Sequence, residues 1–99
     1  MFIHVVLFEI TPDQVSLYRA DSRMWAAQAA RAPGFISYHT MQRYDHSHQY
    51  SSVYEWKDKR SHDRFMSRLH DQLVEKSKAR VKVLGYYNLK SIDRVPGKK

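Results

Sequence analysis

The segment that most constrains this chain is its first run, Phe2 to Ile10 (FIHVVLFEI). It is apolar and rich in β-branched residues, and Thr11-Pro12 stops it, so it reads as a strand. Alternation places Phe2, His4, Val6, Phe8 and Ile10 on one face and Ile3, Val5 and Leu7 on the other. A strand covered from one side alternates apolar with polar residues. Both faces of the sheet containing this strand are therefore expected to be covered. The whole chain has 99 residues, room for one core and not two. We expect a single domain over residues 1–95 and a flexible basic tail at 96–99.

The remaining elements follow from local signals. Thr11-Pro12-Asp13-Gln14 predicts a helix start, with Thr11 as cap, Pro12 in the first turn and Gln14 completing a capping box. The helix carries Val15, Tyr18, Ser22, Trp25 and Ala29 on one stripe, and Pro33-Gly34 ends it. Phe35–Arg43 and Gln49–Trp56 are expected strands joined by a polar turn, hence a hairpin. In the first of these, Phe35, Ser37, His39 and Met41 share one face by simple alternation. Asp58 or Ser61 caps a second helix whose stripe is His62, Phe65, Met66, Leu69, Leu73 and Lys76. Arg80–Val83 and Tyr86–Val95 are extended, with Gly85 as a kink or bulge. The order β-α-β-β-α-β with right-handed crossovers predicts an α+β, ferredoxin-like antiparallel sheet with both helices on one face. Two helices cover only that face. A second copy of the chain is the simplest cover for the other, and the sheets of such a homodimer are expected to bury Tyr or Trp side chains of the hairpin: Tyr38, Tyr50, Tyr54 and Trp56.

Composition narrows the function. There is no cysteine, which excludes a disulfide scaffold, a thiolate metal site and a cysteine nucleophile. No apolar run reaches the roughly 18 residues of a membrane span, and Met1 opens no signal-peptide pattern. A soluble, cytoplasmic protein without a membrane partner is expected. Charge is uneven: residues 1–56 hold four basic and five acidic side chains, whereas residues 57–99 hold thirteen and five. That asymmetry fits a solvated basic face or an anionic partner.

Several short motifs carry a resemblance. The Pro33-Gly34-Phe35 turn, the strand end Val53-Tyr54-Glu55-Trp56 and the following helix with its histidine, Phe65 to His70, resemble the antibiotic biosynthesis monooxygenase (ABM) group, and the likeness spans nearly the whole chain. It implies a dimeric α/β-barrel in which two ferredoxin-like units pack sheet to sheet, with a pocket in each subunit between sheet and helices. It implies a cofactor-independent monooxygenase acting on a small aromatic or polycyclic compound. The related haem-degrading enzymes use an Asn on the first strand and a Trp and a haem-ligating His on the second helix. Here Val6, Leu7 and Phe8 occupy the strand, Phe65 stands nearest the Trp, and Glu75 and Lys76 fill the ligand region, so no haem, metal or flavin is expected.

His70 borders the apolar stripe of the second helix, where a neutral imidazole can take a proton from an acidic phenol or enol; it is the expected catalytic base. His4, Trp25, His39, Trp56 and Phe65 are the expected substrate contacts, with the Trp56 indole N–H as a donor to a ligand oxygen. His46-Ser47-His48 is too sparse for zinc, which takes three or four ligands. A rival reading is a non-catalytic dimeric ligand-binding or stress protein of the same fold. RNA binding, open to this strand order, is disfavoured. Gln49–Trp56 lacks the glycines of the RNA-recognition motif and contains Glu55.

Overall fold

The computed structural model describes residues 1–98. The elements are β1 (Phe2–Glu9), a short 3-10 turn (Pro12–Gln14), α1 (Val15–Ala29), β2 (Phe35–Gln42), β3 (Gln49–Trp56), α2 (Lys59–Lys76) and β4 (Lys82–Lys90). The four strands form one antiparallel sheet in the order β2-β3-β1-β4. This is the expected ferredoxin-like α+β layout. The C-terminal strand stops at Lys90 rather than Val95. The tail expected at 96–99 includes Lys99, which lies outside the described residues.

Local chemistry explains most of the boundaries. Asp58 caps α2, its carboxylate accepting from the Ser61 backbone N–H at 2.9 Å and the Ser61 hydroxyl at 2.8 Å. Gly34, at φ 87°, takes the left-handed turn between α1 and β2. The capping box expected at Thr11 does not form, since Thr11 makes no side-chain cap bond. The Gln14 side chain is used elsewhere: its Oε1 accepts from the Arg80 backbone N–H at 2.8 Å.

The core lies between the sheet and the two helices. Phe2, Tyr54 and Trp56 of the strands meet Ala29, Phe65 and Leu73 of the helices, and Trp56 is fully buried. The helix stripes match expectation except that Lys76 is exposed.

Two register shifts reshape the sheet. Phe35 pairs with Trp56 but Ser37 with Glu55, so Ile36 is an extra residue in β2. Past that bulge the alternation inverts. Tyr38 joins Phe35 on the helix side, and His39 moves to the opposite face. A second shift near Gly85 leaves Leu84 extra in β4.

The face away from the helices carries Ile3, Val5, Leu7, Val53, Tyr87 and Leu89, with Leu89 and Tyr87 about half exposed. This corrects one expectation. Tyr38, Tyr50, Tyr54 and Trp56 all point to the helix side, so the hairpin aromatics belong to the subunit's own interior and not to the open face. The registers settle it, because residues directly opposite share a face: Tyr50 pairs with Phe8, Tyr54 with His4 and Trp56 with Phe2.

Candidate active site

Between the sheet and the helices lies a cavity of about 320 Å³, at the small end of the roughly 300–1,000 Å³ typical of ligand sites. β1 contributes His4, Val6 and Phe8, and β3 contributes Ser52, Tyr54 and Trp56. From α1 come Tyr18, Ser22 and Trp25, and from α2 His62, Phe65, Met66 and His70. The walls are dominated by aromatic and aliphatic carbon.

The structure brings five of the six sequence-predicted residues to this wall: His4, Trp25, Trp56, Phe65 and His70. His39 is the exception. It sits on the open face with Nε2 3.5 Å from the Ser37 hydroxyl and 3.7 Å from the Glu55 carboxylate. The Ile36 bulge is the cause, because it turns every later β2 side chain over.

The histidines that do reach the wall differ sharply. His70 stands at the rim with 47% of its side chain exposed, its Nδ1–H donating to exposed Asp71 at 3.2 Å. Its ring lies edge-on to Trp25, with centroids 5.8 Å apart. His4 donates from Nδ1 to the Asn88 side-chain oxygen at 2.7 Å and stacks on Tyr86. His62, which periodicity had marked only as a core position, is buried against Phe2 and His4 with centroids 5.0 and 4.7 Å away. Its Nδ1–H donates to Asp63 Oδ1 at 3.1 Å, and Asp63 also accepts from Lys59 at 2.7 Å. A carboxylate only accepts, so the neutral ring carries its proton on Nδ1 and presents a lone pair at Nε2. Burial holds the His62 pKa below its ordinary value, against the opposing effect of its hydrogen bond to Asp63.

Two buried polar atoms of residues that line the cavity have no partner, His62 Nε2 and Trp56 Nε1. An unmade buried hydrogen bond costs about 1–3 kcal/mol, so such atoms ask for an explanation. One is an acceptor and the other a donor.

Elsewhere the wall is well satisfied. Tyr18 shares a 2.7 Å hydrogen bond with the Ser52 hydroxyl, to which Tyr38 donates at 3.1 Å. Burial raises the pKa of both Tyr18 and Tyr54, so these phenols stay neutral. The segment between α2 and β4 is stitched to α1 by side chains. Trp25 Nε1–H donates to the Ser77 hydroxyl at 2.9 Å, and the Asp21 carboxylate accepts from the Lys78 and Ala79 backbone N–H groups at 2.9 and 2.8 Å. This strap closes one side of the cavity with Ser77, Ala79 and Val81. Sequence reasoning missed Asp21 and His62. Asp21 acts across more than fifty residues, where no local signal reaches. For His62 the signal was present, a histidine on an apolar stripe.

The His46 and His48 rings lie 6.4 Å apart, and His46 Nε2 is 3.9 Å from Glu9. Among the described residues no group of three or more His, Cys, Asp or Glu side chains is arranged to hold a metal ion. No helix among them is long and apolar enough to cross a membrane.

Several solved structures share this fold. A protein from Deinococcus radiodurans described as an antibiotic biosynthesis monooxygenase superposes with a TM-score of 0.82 at 11% identity, covering 100% of both chains. SnoaB from Streptomyces nogalater, described as a cofactor-independent oxygenase, gives 0.76 at 16% identity over 97% of each chain. An MhuD variant holding two manganese protoporphyrin IX molecules per active site gives 0.76 at 12% identity, over 98% of this chain and 100% of that one. At these identities the likeness establishes the fold alone. No curated protein matches the chain. The model of the family described as Antibiotic biosynthesis monooxygenase matches residues 1–75, from the first strand almost to the end of the second helix. By that match, the chain belongs to the antibiotic biosynthesis monooxygenase family.

Proposed function

We propose that this protein is a cofactor-independent monooxygenase that oxidises a small aromatic or polycyclic phenol, with residues 1–95 as its working domain. The observation that carries the reading is the aromatic-lined cavity between sheet and helices, whose two unpaired polar atoms are of the kinds a phenolic oxygen needs. The substrate supplies all four electrons to O₂. One oxygen atom becomes the new quinone carbonyl, and the other leaves as water with two hydrogens of the phenol, one from its hydroxyl and one from the ring carbon that is oxidised. The protein's part is to bind the ring, remove the hydroxyl proton so that an electron-rich phenolate meets O₂, and keep bulk water away. His4, Trp25, Trp56 and Phe65 supply the ring contacts, and a histidine of α2, His70 or His62, supplies the base.

The working form in this reading is a cytoplasmic homodimer. A second copy laid two-fold across the open face would cover Ile3, Val5, Leu7, Val53, Tyr87 and Leu89, which the helices leave bare. Light scattering at micromolar concentration should give twice the single-chain mass, and a single-chain mass would overturn the dimer.

The activity is tested by oxygen uptake over a panel of phenols and quinols, in buffer stripped of metal and flavin. Uptake with isotopic oxygen from O₂ in the quinone carbonyl is the expected result. Ligand binding without any uptake would make this a binding protein of the same fold. A saturable haem spectrum with an axial histidine would move it to the haem-degrading branch.

A further inference from the structure

His62 of α2 and Trp56 of β3 are neighbours among the residues that line the cavity. His62 lies in the second turn of α2, its ring enclosed by Phe2, His4 and Trp56. Asp63 fixes the proton on Nδ1 and is itself held by Lys59. The Nε2 lone pair is therefore pre-set as an acceptor, buried and unmatched. Trp56, at the end of β3, has an indole N–H that can only donate, and it too is buried and unmatched. The two rings stand 6.1 Å apart, centroid to centroid, at 74°. Neither nitrogen is open to the empty cavity, so a hydroxyl that reaches them must turn the rings as it enters, donating its proton to one and accepting from the other. One unpaired donor and one unpaired acceptor on neighbouring rings match a group that is both.

We propose that His62 Nε2 and Trp56 Nε1 together bind the hydroxyl of a phenolic or enolic ligand, and that His62 rather than His70 takes its proton. The assignment rests on the cavity being the substrate site. In the transfer the ligand O–H bond breaks, its electron pair stays on oxygen, and an N–H bond forms at Nε2. The resulting imidazolium is balanced by Asp63 at Nδ1, while the Trp56 N–H donates to the new oxyanion. The other groups facing His62 are His4 from β1, with Tyr86 of β4 behind it, and Lys59 one turn back on α2, already paired to Asp63. His70 shares the wall but reaches solvent, where water competes for its lone pair.

The test is an anaerobic titration of the full chain with 4-nitrophenol and 4-nitroanisole, which share a ring and differ in the ionisable proton. The phenol should bind with the yellow phenolate band present at pH values where the free probe is largely protonated. In His62→Phe that band should vanish and the phenol should bind about tenfold more weakly or worse, the scale of one charge-assisted hydrogen bond. Unchanged 4-nitroanisole binding in the same variant establishes that the cavity is still folded. His70→Ala should keep the band. Equal affinity for the two probes without ionisation overturns the assignment, as it would if a water fills the gap. So does a band that survives His62→Phe or is lost in His70→Ala. Phenolate binding with no oxygen uptake from any phenol would leave this pair standing and remove the monooxygenase reading. Failure of both probes to bind removes both.

Discussion

The two faces of the sheet are made from the same four strands and have opposite chemistry. Toward the helices point the rings of Phe2, Phe8, Tyr38, Tyr50, Tyr54 and Trp56, with hydroxyl and imidazole groups set among them. Away from the helices stand the aliphatic groups of Ile3, Val5, Leu7, Val53 and Leu89 with Tyr87 over the β1 and β4 side, and polar Ser37, His39 and Glu55 toward the β2 edge. Aromatics offer large flat contact and a polar handle at one end, which suits a cavity that must grip a ring and address its oxygen. Aliphatic side chains pack without directional demands, which suits a surface that needs only a matching apolar surface. On the proposed reading the inner face serves the chemistry and the outer face the contact with a second copy.

The contrast is broken or sharpened most strongly by truncation on each side. Trp56→Ala removes a fully buried ring touching Phe35, Phe65 and His62 and should lower stability by about 3–5 kcal/mol in urea unfolding. Leu89→Ala, at a half-exposed position of the outer face, should cost well under half of that in a single chain, within about 1 kcal/mol. A Leu89→Ala loss that approaches the Trp56 value, and that depends on protein concentration, would mean the outer face is buried in solution by a second copy.

Next in size is the turn that sets α1 against β2. Gly34 has φ 87°, and a Cβ there would run into the Ser61 side chain in the first turn of α2. Gly34→Ala should cost about 1–3 kcal/mol through backbone strain and this clash. Because Ser61 also serves the Asp58 cap, the loss should come with fraying of the first turn of α2, read by hydrogen exchange. Full protection there would separate the turn from the helix it abuts.

How far the sequence disclosed this arrangement depends on the range of the interaction concerned. Local signals sufficed for Gln49–Trp56, both helix stripes, the Asp58 cap and the Pro33-Gly34 stop, and these place the elements in order. Alternation failed at Ile36, because a bulge is a decision of the paired strand: one extra residue moved His39 out of the cavity side and Tyr38 into it. The capping box at Thr11 failed for a similar reason, since Gln14 is taken by Arg80 far along the chain. The candidate site was half legible. Periodicity placed His62 on the buried stripe, but only the packing of β1 and β3 against α2 leaves its Nε2 without a partner.

A smaller effect follows from acid. The His62 pKa is lowered from its ordinary value of 6.5 by burial, so the unfolded chain binds this proton more readily than the folded one. Stability from the neutral ring is complete above pH 6.5 and is lost as pH falls through the lower folded value. Wild type should therefore lose melting temperature on acidification in that window, before the exposed carboxylates with lowered pKa values, Asp13, Asp45, Asp58 and Asp63, begin to protonate. His62→Phe should flatten that part of the profile. An unchanged slope would mean that the folded and unfolded values coincide.

The smallest expected effect on folding belongs to His70, at the rim of the cavity. Half its side chain is in solvent, and its contacts are an exposed carboxylate and the edge of Trp25. His70→Ala should change stability by less than about 1 kcal/mol, because an exposed histidine–carboxylate pair contributes little and Trp25 keeps its anchor on Ser77. The informative readout is turnover. With His62 as base, the variant should weaken apparent substrate affinity more than it lowers kcat, since a rim residue acts on access and retention. A fall in kcat of about 10²-fold, the scale of losing an acid–base group, at unchanged stability and KM, would instead put the proton transfer at the rim and return the base to His70.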